Sequence, residues 1–117
     1  MYTFVCYEKC GTCRKAEKWL RENNIPYAKR PIREENPNRE ELKKWNALSG
    51  TEPKKFFNTS GQLYRSMNIK DRLKSMSDDE IFGLLSTDGM LVKRPLLVAD
   101  DFVLAGFKEE EWKNKLL

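Results

Sequence analysis

The 117-residue chain contains no histidine. Imidazole is therefore excluded as general base, as metal ligand and as the group that activates a serine or cysteine nucleophile. Cysteine is scarce: the 3 present, Cys6, Cys10 and Cys13, all fall near the N-terminus. They lie too close together to staple distant segments, as the disulfides of a small secreted domain do. No apolar run approaches the ~20 residues a membrane helix needs, and the mean hydropathy of -0.74 agrees. The opening Met1-Tyr2-Thr3-Phe4-Val5 lacks the basic region, apolar stretch and small-residue cleavage site of an export signal, which predicts a cytoplasmic protein with no membrane partner. Repeats and low-complexity tracts are also missing.

What the chain does hold is charge of both signs. Its 22 basic and 18 acidic residues leave a net charge of +4, a modest excess that does not by itself specify nucleic acid. With no DNA-binding motif, direct nucleic-acid contact is not expected. The 39% hydrophobic content is enough for one core, so a single domain over 1–117 is expected.

Tyr2 to Tyr7, aromatic and β-branched, reads as a strand. Beyond Cys13, the residues Ala16, Trp19 and Leu20 recur at helical spacing among charges, and Asn23-Asn24 ends that helix. Ile25 to Ile32 reads as a second strand with Pro26 and Pro31 near its ends. The unit is βαβ, so its strands are expected to be parallel, with a right-handed crossover. Next comes a helical insertion over about 35–90. Asn36-Pro37 is read as cap and first turn of a helix carrying Leu42, Trp45 and Leu48 and stopping at Ser49-Gly50. A short helix is expected around Asn58-Thr59-Ser60-Gly61. Ser77 to Glu80 matches a capping box, with Gly89 as the stop. Leu96-Leu97-Val98 and Phe102 to Ala105 form a hairpin, followed by a helix from about Lys108 through Trp112. The fold class is α/β: the order βαβ, helices, ββα resembles the thioredoxin plan with a helical insertion and a mixed four-stranded sheet.

A CxxC between strand and helix answers a chemical need. The thiolate reacts, and it must be stabilised near neutral pH. A helix N-terminus carries about half a positive charge on its unpaired N–H groups. Cys10 stands there, and Lys9, Arg14 and Lys15 add cationic charge. Cys10 is therefore the candidate nucleophile and Cys13, one turn on, the resolving thiol that closes a disulfide with it. CxxC also serves as half of a zinc site, but the missing ligands and the placement of Cys6 in a strand oppose that, and no metal is expected. Cys6, Trp19, Trp45 and Trp112 read as core, and Glu109-Glu110-Glu111 as a solvated first turn. Arg94-Pro95, directly before an apolar strand, is a candidate cis bond that presents backbone and the Arg94 guanidinium to Cys10. Gly11, Thr12, Arg14 and Pro95 complete the candidate substrate contacts.

The segments Tyr7 to Ala16, Val92 to Val98 and Val103 to Lys108, with the helical insertion, resemble the arsenate reductase ArsC/Spx/YusI family over essentially the whole chain. The resemblance implies a thiol-dependent oxidoreductase, with Cys10 in the place of the nucleophile and Arg94 in that of an oxyanion-binding arginine. It implies no bound cofactor, only an external thiol reductant such as glutathione with glutaredoxin, or thioredoxin. Two further arginines of the family pattern fall where this chain has Asn58 and Gly106. Each charge-assisted bond contributes roughly 1.5–3 kcal/mol, so weak binding of arsenate is expected. The Spx-type branch implies the alternative: a CxxC switch in a transcriptional regulator that binds RNA polymerase. A thiol oxidoreductase is the preferred reading.

Overall fold

Successive side chains of a strand point to opposite faces, and in this protein each central strand feeds two separate cores. The computed structural model describes residues 1–117. In β1 (Tyr2–Cys6), Phe4 and Cys6 pack on one side and Val5 on the other. The same alternation splits Leu96 from Leu97 in β3 (Leu96–Val98) and Val103 from Leu104 in β4 (Val103–Ala105). With β2 (Tyr27–Pro31), these strands form a mixed four-stranded sheet in the order β2-β1-β3-β4. β1 runs parallel to β2, with Tyr2 beside Tyr27 and Cys6 beside Pro31, and antiparallel to β3. β3 and β4 form the expected hairpin, with Leu97 opposite Leu104.

One face is covered by α1 (Gly11–Glu22) and α6 (Glu109–Leu116). Cys13, Ala16, Trp19 and Leu20 recur every three or four residues and form the buried stripe of α1. Asn24, in the left-handed region at φ 56, turns the chain out of the helix. Trp112 of α6 is fully buried, with Phe4, Trp19 and Phe107 packed edge-on around it, the Phe107 ring centroid 4.9 Å away. Its indole N–H donates to the Gly106 carbonyl at 3.0 Å, tying the end of β4 to this cluster.

The insertion covers the other face. It contains α2 (Arg39–Ser49), α3 (Gln62–Ser66), α4 (Ile69–Arg72) and α5 (Asp78–Leu85), with short turns of tighter helix between them. Leu42, Trp45, Ile69, Ile81 and Leu85 meet Val5 and Leu96 there. Arg30 of β2 holds Glu41 through two charge-assisted bonds, at 2.6 and 2.9 Å, and lies over the Trp45 ring, which anchors α2 to the sheet edge.

Three sequence expectations are corrected within the insertion. The cap of α2 is Asn38 rather than Asn36: Asn38 and Glu41 form a reciprocal capping box, while Asn36 donates its amide to the Ser86 carbonyl at 2.8 Å. Asn58 to Gly61 form a turn, not a helix; the helix begins at Gln62, with Gly61 as its extended cap residue. Gly89 does not stop α5, which ends at Leu85. A Cβ at Gly89 would collide with the Ile32 carbonyl oxygen, so glycine is required there for close backbone approach. The capping box at Ser77 and Glu80 forms as read from the sequence.

Candidate active site

The site is assembled where the insertion meets the start of β3. Phe56 and Phe57 are buried under the sheet, each burial contributing about 1.5–3 kcal/mol, and the chain beside them zips onto residues 91 to 93. Lys93 N–H donates to the Phe56 carbonyl at 2.7 Å and Asn58 N–H to the Leu91 carbonyl at 2.8 Å. The Arg94–Pro95 peptide is cis, and the Pro95 carbonyl accepts from Gly106 N–H at 2.8 Å. These bonds place the 58 to 61 turn, the residues before β3 and the loop after β4 around the start of α1.

The space between them is an open cavity of about 420 Å³ lined by Cys10, Thr12, Asn58, Lys93, Arg94 and Lys108, with parts of the neighbouring loops. Of the predicted site residues, Cys10, Thr12 and Arg94 meet here. Arg14 does not: its Nε donates to the Glu8 carbonyl at 3.1 Å, outside the cavity. Gly11 is exposed at the helix start and Pro95 is buried behind the wall. Asn58 and Gly106, the positions of the two further arginines of the family pattern, also line the cavity, together with Lys93 and Lys108, which sequence reasoning did not place there. The available signal was the Lys93-Arg94-Pro95 run, which holds two adjacent cations.

All three cysteines are unpaired thiols: Cys10 is half-buried, Cys6 and Cys13 are buried. Cys10 occupies the cap position of α1 with extended backbone, and no side-chain cap bond closes on it. Burial opposes its ionisation, but the Cys13 amide, the Cys13 thiol, the Arg94 charge and the Thr12 amide together outweigh burial and hold the Cys10 thiol below its ordinary range. Cys13 moves the other way. Burial pushes it up to about 12, partly offset by the Tyr7 N–H that donates to its sulfur at 3.4 Å and reinforced by the neighbouring Cys10 charge. Burial likewise lifts Cys6 to about 11. Only Cys10 of the three thiols is thus shifted toward easier ionisation.

Arg94 owes its placement to Tyr7 and Met90. Its guanidinium lies 5.2 Å from the centre of the Tyr7 ring and donates to the Met90 carbonyl at 3.3 Å, while its buried Nε has no partner. A second hollow of about 440 Å³, lined by Tyr7, Arg33, Gln62 and Asp88, lies on the far side of Arg94 and Asn58, which border both spaces.

Comparison with known proteins settles the lineage of this arrangement. The ArsC family model matches residues 6–115. The chain belongs to the ArsC family. It is 50% identical to YusI of Bacillus subtilis over 112 residues, 96% of this chain and 95% of that protein. It is 30% identical to the regulatory protein MgsR of the same organism, over 93% of this chain and 85% of MgsR. A crystal structure from Bacteroides fragilis, described as an ArsC family related protein, superposes with a TM-score of 0.93 at 52% identity, covering 97% of each chain. The thioredoxin-like fold with its mixed sheet is common to these ArsC-family neighbours. No helix is long and apolar enough to cross a membrane.

Proposed function

We propose that this ArsC-family protein is a thiol–disulfide oxidoreductase with Cys10 as nucleophile and Cys13 as resolving thiol. The observation that carries the reading is the placement of the three thiols: Cys10, at the N-terminal cap of α1, lines the cavity with Arg94, while Cys13, one turn on, and Cys6 are buried. The Cys10 thiolate attacks one sulfur of a substrate disulfide, forming a mixed disulfide as the substrate S–S bond breaks and the other half leaves as a thiolate that solvent protonates. Cys13 then loses its proton and attacks the Cys10 sulfur. A Cys10–Cys13 disulfide forms, the second substrate thiolate departs, and an external dithiol reductant restores both thiols. Once Cys10 is in a mixed disulfide its negative charge is gone, which removes one of the influences that raise Cys13.

Arsenate is a poorer fit. Asn58 is neutral and Gly106 has no side chain, and the lysines of the cavity lack the planar fork with which arginine grips an oxyanion. A second reading rests on the 30% identity to MgsR, named as a regulatory protein: the same Cys10–Cys13 pair would then act as a switch in a regulator that binds RNA polymerase. Oxidation followed by non-reducing mass spectrometry tests the main reading. A Cys10–Cys13 bridge is expected, and Cys13→Ser should leave Cys10 trapped as a mixed disulfide. A dominant Cys6–Cys10 bridge overturns the assignment. Efficient arsenate turnover with glutathione and glutaredoxin favours the arsenate reading, and polymerase binding that changes with oxidation, without substrate turnover, favours the regulator.

A further inference from the structure

The Cys10 cavity is one-sided in its charge. Three cations line it, Lys93, Arg94 and Lys108, and no lining residue is acidic. None of the three takes part in an ion pair within the chain. Arg94 is engaged in part, by the Tyr7 ring and the Met90 carbonyl. Lys108 is exposed at the cap of α6. Lys93 differs from both, because the fold makes room for it.

That room is Gly106. Its backbone has φ +75, in the region that disfavours side chains, and is held on both sides, by N–H to Pro95 and by its carbonyl to the Trp112 indole. A Cβ placed on it would lie 2.8 Å from Lys93 Cε and 3.7 Å from Lys93 Nζ. The Lys93 stem therefore runs through the space that any side chain at 106 would enter. Its own backbone is pinned to Phe56, so the ammonium is delivered into the cavity from a rigid base.

We infer that Lys93, laid across Gly106, is a specificity-determining residue that selects disulfide substrates carrying a negative charge beside the sulfur attacked by Cys10. The inference rests on the exchange reaction proposed above and names the substrate class for it. Lysine suits such a role because it is a compact charge on a flexible stem that follows an anionic group without imposing a bidentate geometry. In a cavity without carboxylates, the anion it meets is supplied by the ligand. The chemistry is the exchange already written, in which the Cys10 thiolate joins one sulfur of the substrate and the other half departs as thiolate. Lys93 orients and attracts the substrate and takes no proton or electron.

The experiment follows mixed-disulfide formation on Cys10 by rapid-quench mass spectrometry with three small disulfides of different charge: dithiodiglycolate, anionic; hydroxyethyl disulfide, neutral; and cystamine, cationic. The native protein should react fastest with dithiodiglycolate and slowest with cystamine, and the spread should narrow as salt is raised. Lys93→Gln should slow dithiodiglycolate by about fivefold and leave hydroxyethyl disulfide within about twofold, the scale of one partly screened charge. Lys93→Glu should bring cystamine ahead of dithiodiglycolate. Alkylation of Cys10 by neutral iodoacetamide, followed against pH, reports separately on the thiolate, and the disulfide rates of each variant are compared with the native ones at equal thiolate fraction. If Cys10 forms no mixed disulfide with any probe, the exchange reading itself fails. If all three probes react but Lys93→Gln slows them equally, or none, exchange stands and the role given to Lys93 is overturned.

Discussion

Five helices of this protein, α1, α2, α3, α5 and α6, begin from an extended cap residue, and only α2 and α5 close a side-chain cap. Asn38 at α2 and Ser77 at α5 each close a full capping box, in which side chain and backbone satisfy one another's donors and acceptors. Cys10 stands at the equivalent position of α1 and closes no capping box; the Cys13 and Thr12 amides act on its sulfur instead, and the first turn behind it contains no acidic residue, whereas those of α2 and α5 do. At α2 and α5 the positive end of the helix is used for local stability. At α1 it faces the Cys10 sulfur. The missing side-chain cap is shared with α3 and α6, so what sets α1 apart is the thiol at its start, and substitutions at positions 10, 38 and 77 should separate a stabilising helix start from a reactive one.

The largest effect is expected from Cys10→Ser. A hydroxyl caps the helix better than a thiol, so the variant should be more stable by about 1 kcal/mol while disulfide exchange is abolished. Denaturant unfolding together with mixed-disulfide mass spectrometry checks both halves. A variant of unchanged stability would show that the α1 terminus carries no cap deficit, and the comparison with α2 and α5 would lose its basis.

Arg94→Ala sharpens the comparison from the other side. Cys10 is lowered against the opposing effect of burial by the Cys13 amide and thiol, and then by the charge of Arg94. Without that charge the thiol should titrate at higher pH, and the pH profile of iodoacetamide alkylation should move to the alkaline side. The sign is fixed: removing a cation disfavours the thiolate. The shift should be partial, because the amides of α1 remain. An unmoved profile would assign the lowering to the helix terminus alone.

Smallest are the effects at the two conventional caps. Asn38→Ala and Ser77→Ala should each lower stability by about 1 kcal/mol, with the alkylation profile of Cys10 unchanged. If either substitution moved that profile, the insertion would be coupled to the thiol more tightly than the contacts through Phe56, Asn58 and Lys93 imply.

Much of the fold was legible because its signals are local. The alternation of Tyr2 to Cys6, the stripe of Cys13, Ala16, Trp19 and Leu20, and the Ser77 box each report a period or a cap that neighbouring residues decide among themselves. At Asn58 to Gly61 a turn reads as the helix that starts directly after it, at Gln62, and the other two misreadings share one cause. Asn36 resembles a cap as well as Asn38 does, and Gly89 resembles a stop, until Ser86 and the Ile32 carbonyl come close to them in space. Partners that lie far off in sequence leave no trace in a local pattern.

At the site the same division holds. The sequence alone determined that Cys10 heads a helix, that Cys13 follows it by one turn and that an Arg-Pro pair precedes a late strand, because each is a matter of spacing along the chain. Only the tertiary structure decided which charges reach the thiol. Arg14, adjacent in sequence, turns to the Glu8 carbonyl, while Arg94 arrives through the β3 pairing and Lys93 through the empty side of Gly106. Electrostatic influence depends on distance through space and on what lies between, and the sheet that brings residue 94 beside residue 10 is built from hydrogen bonds between strands remote from each other in the chain.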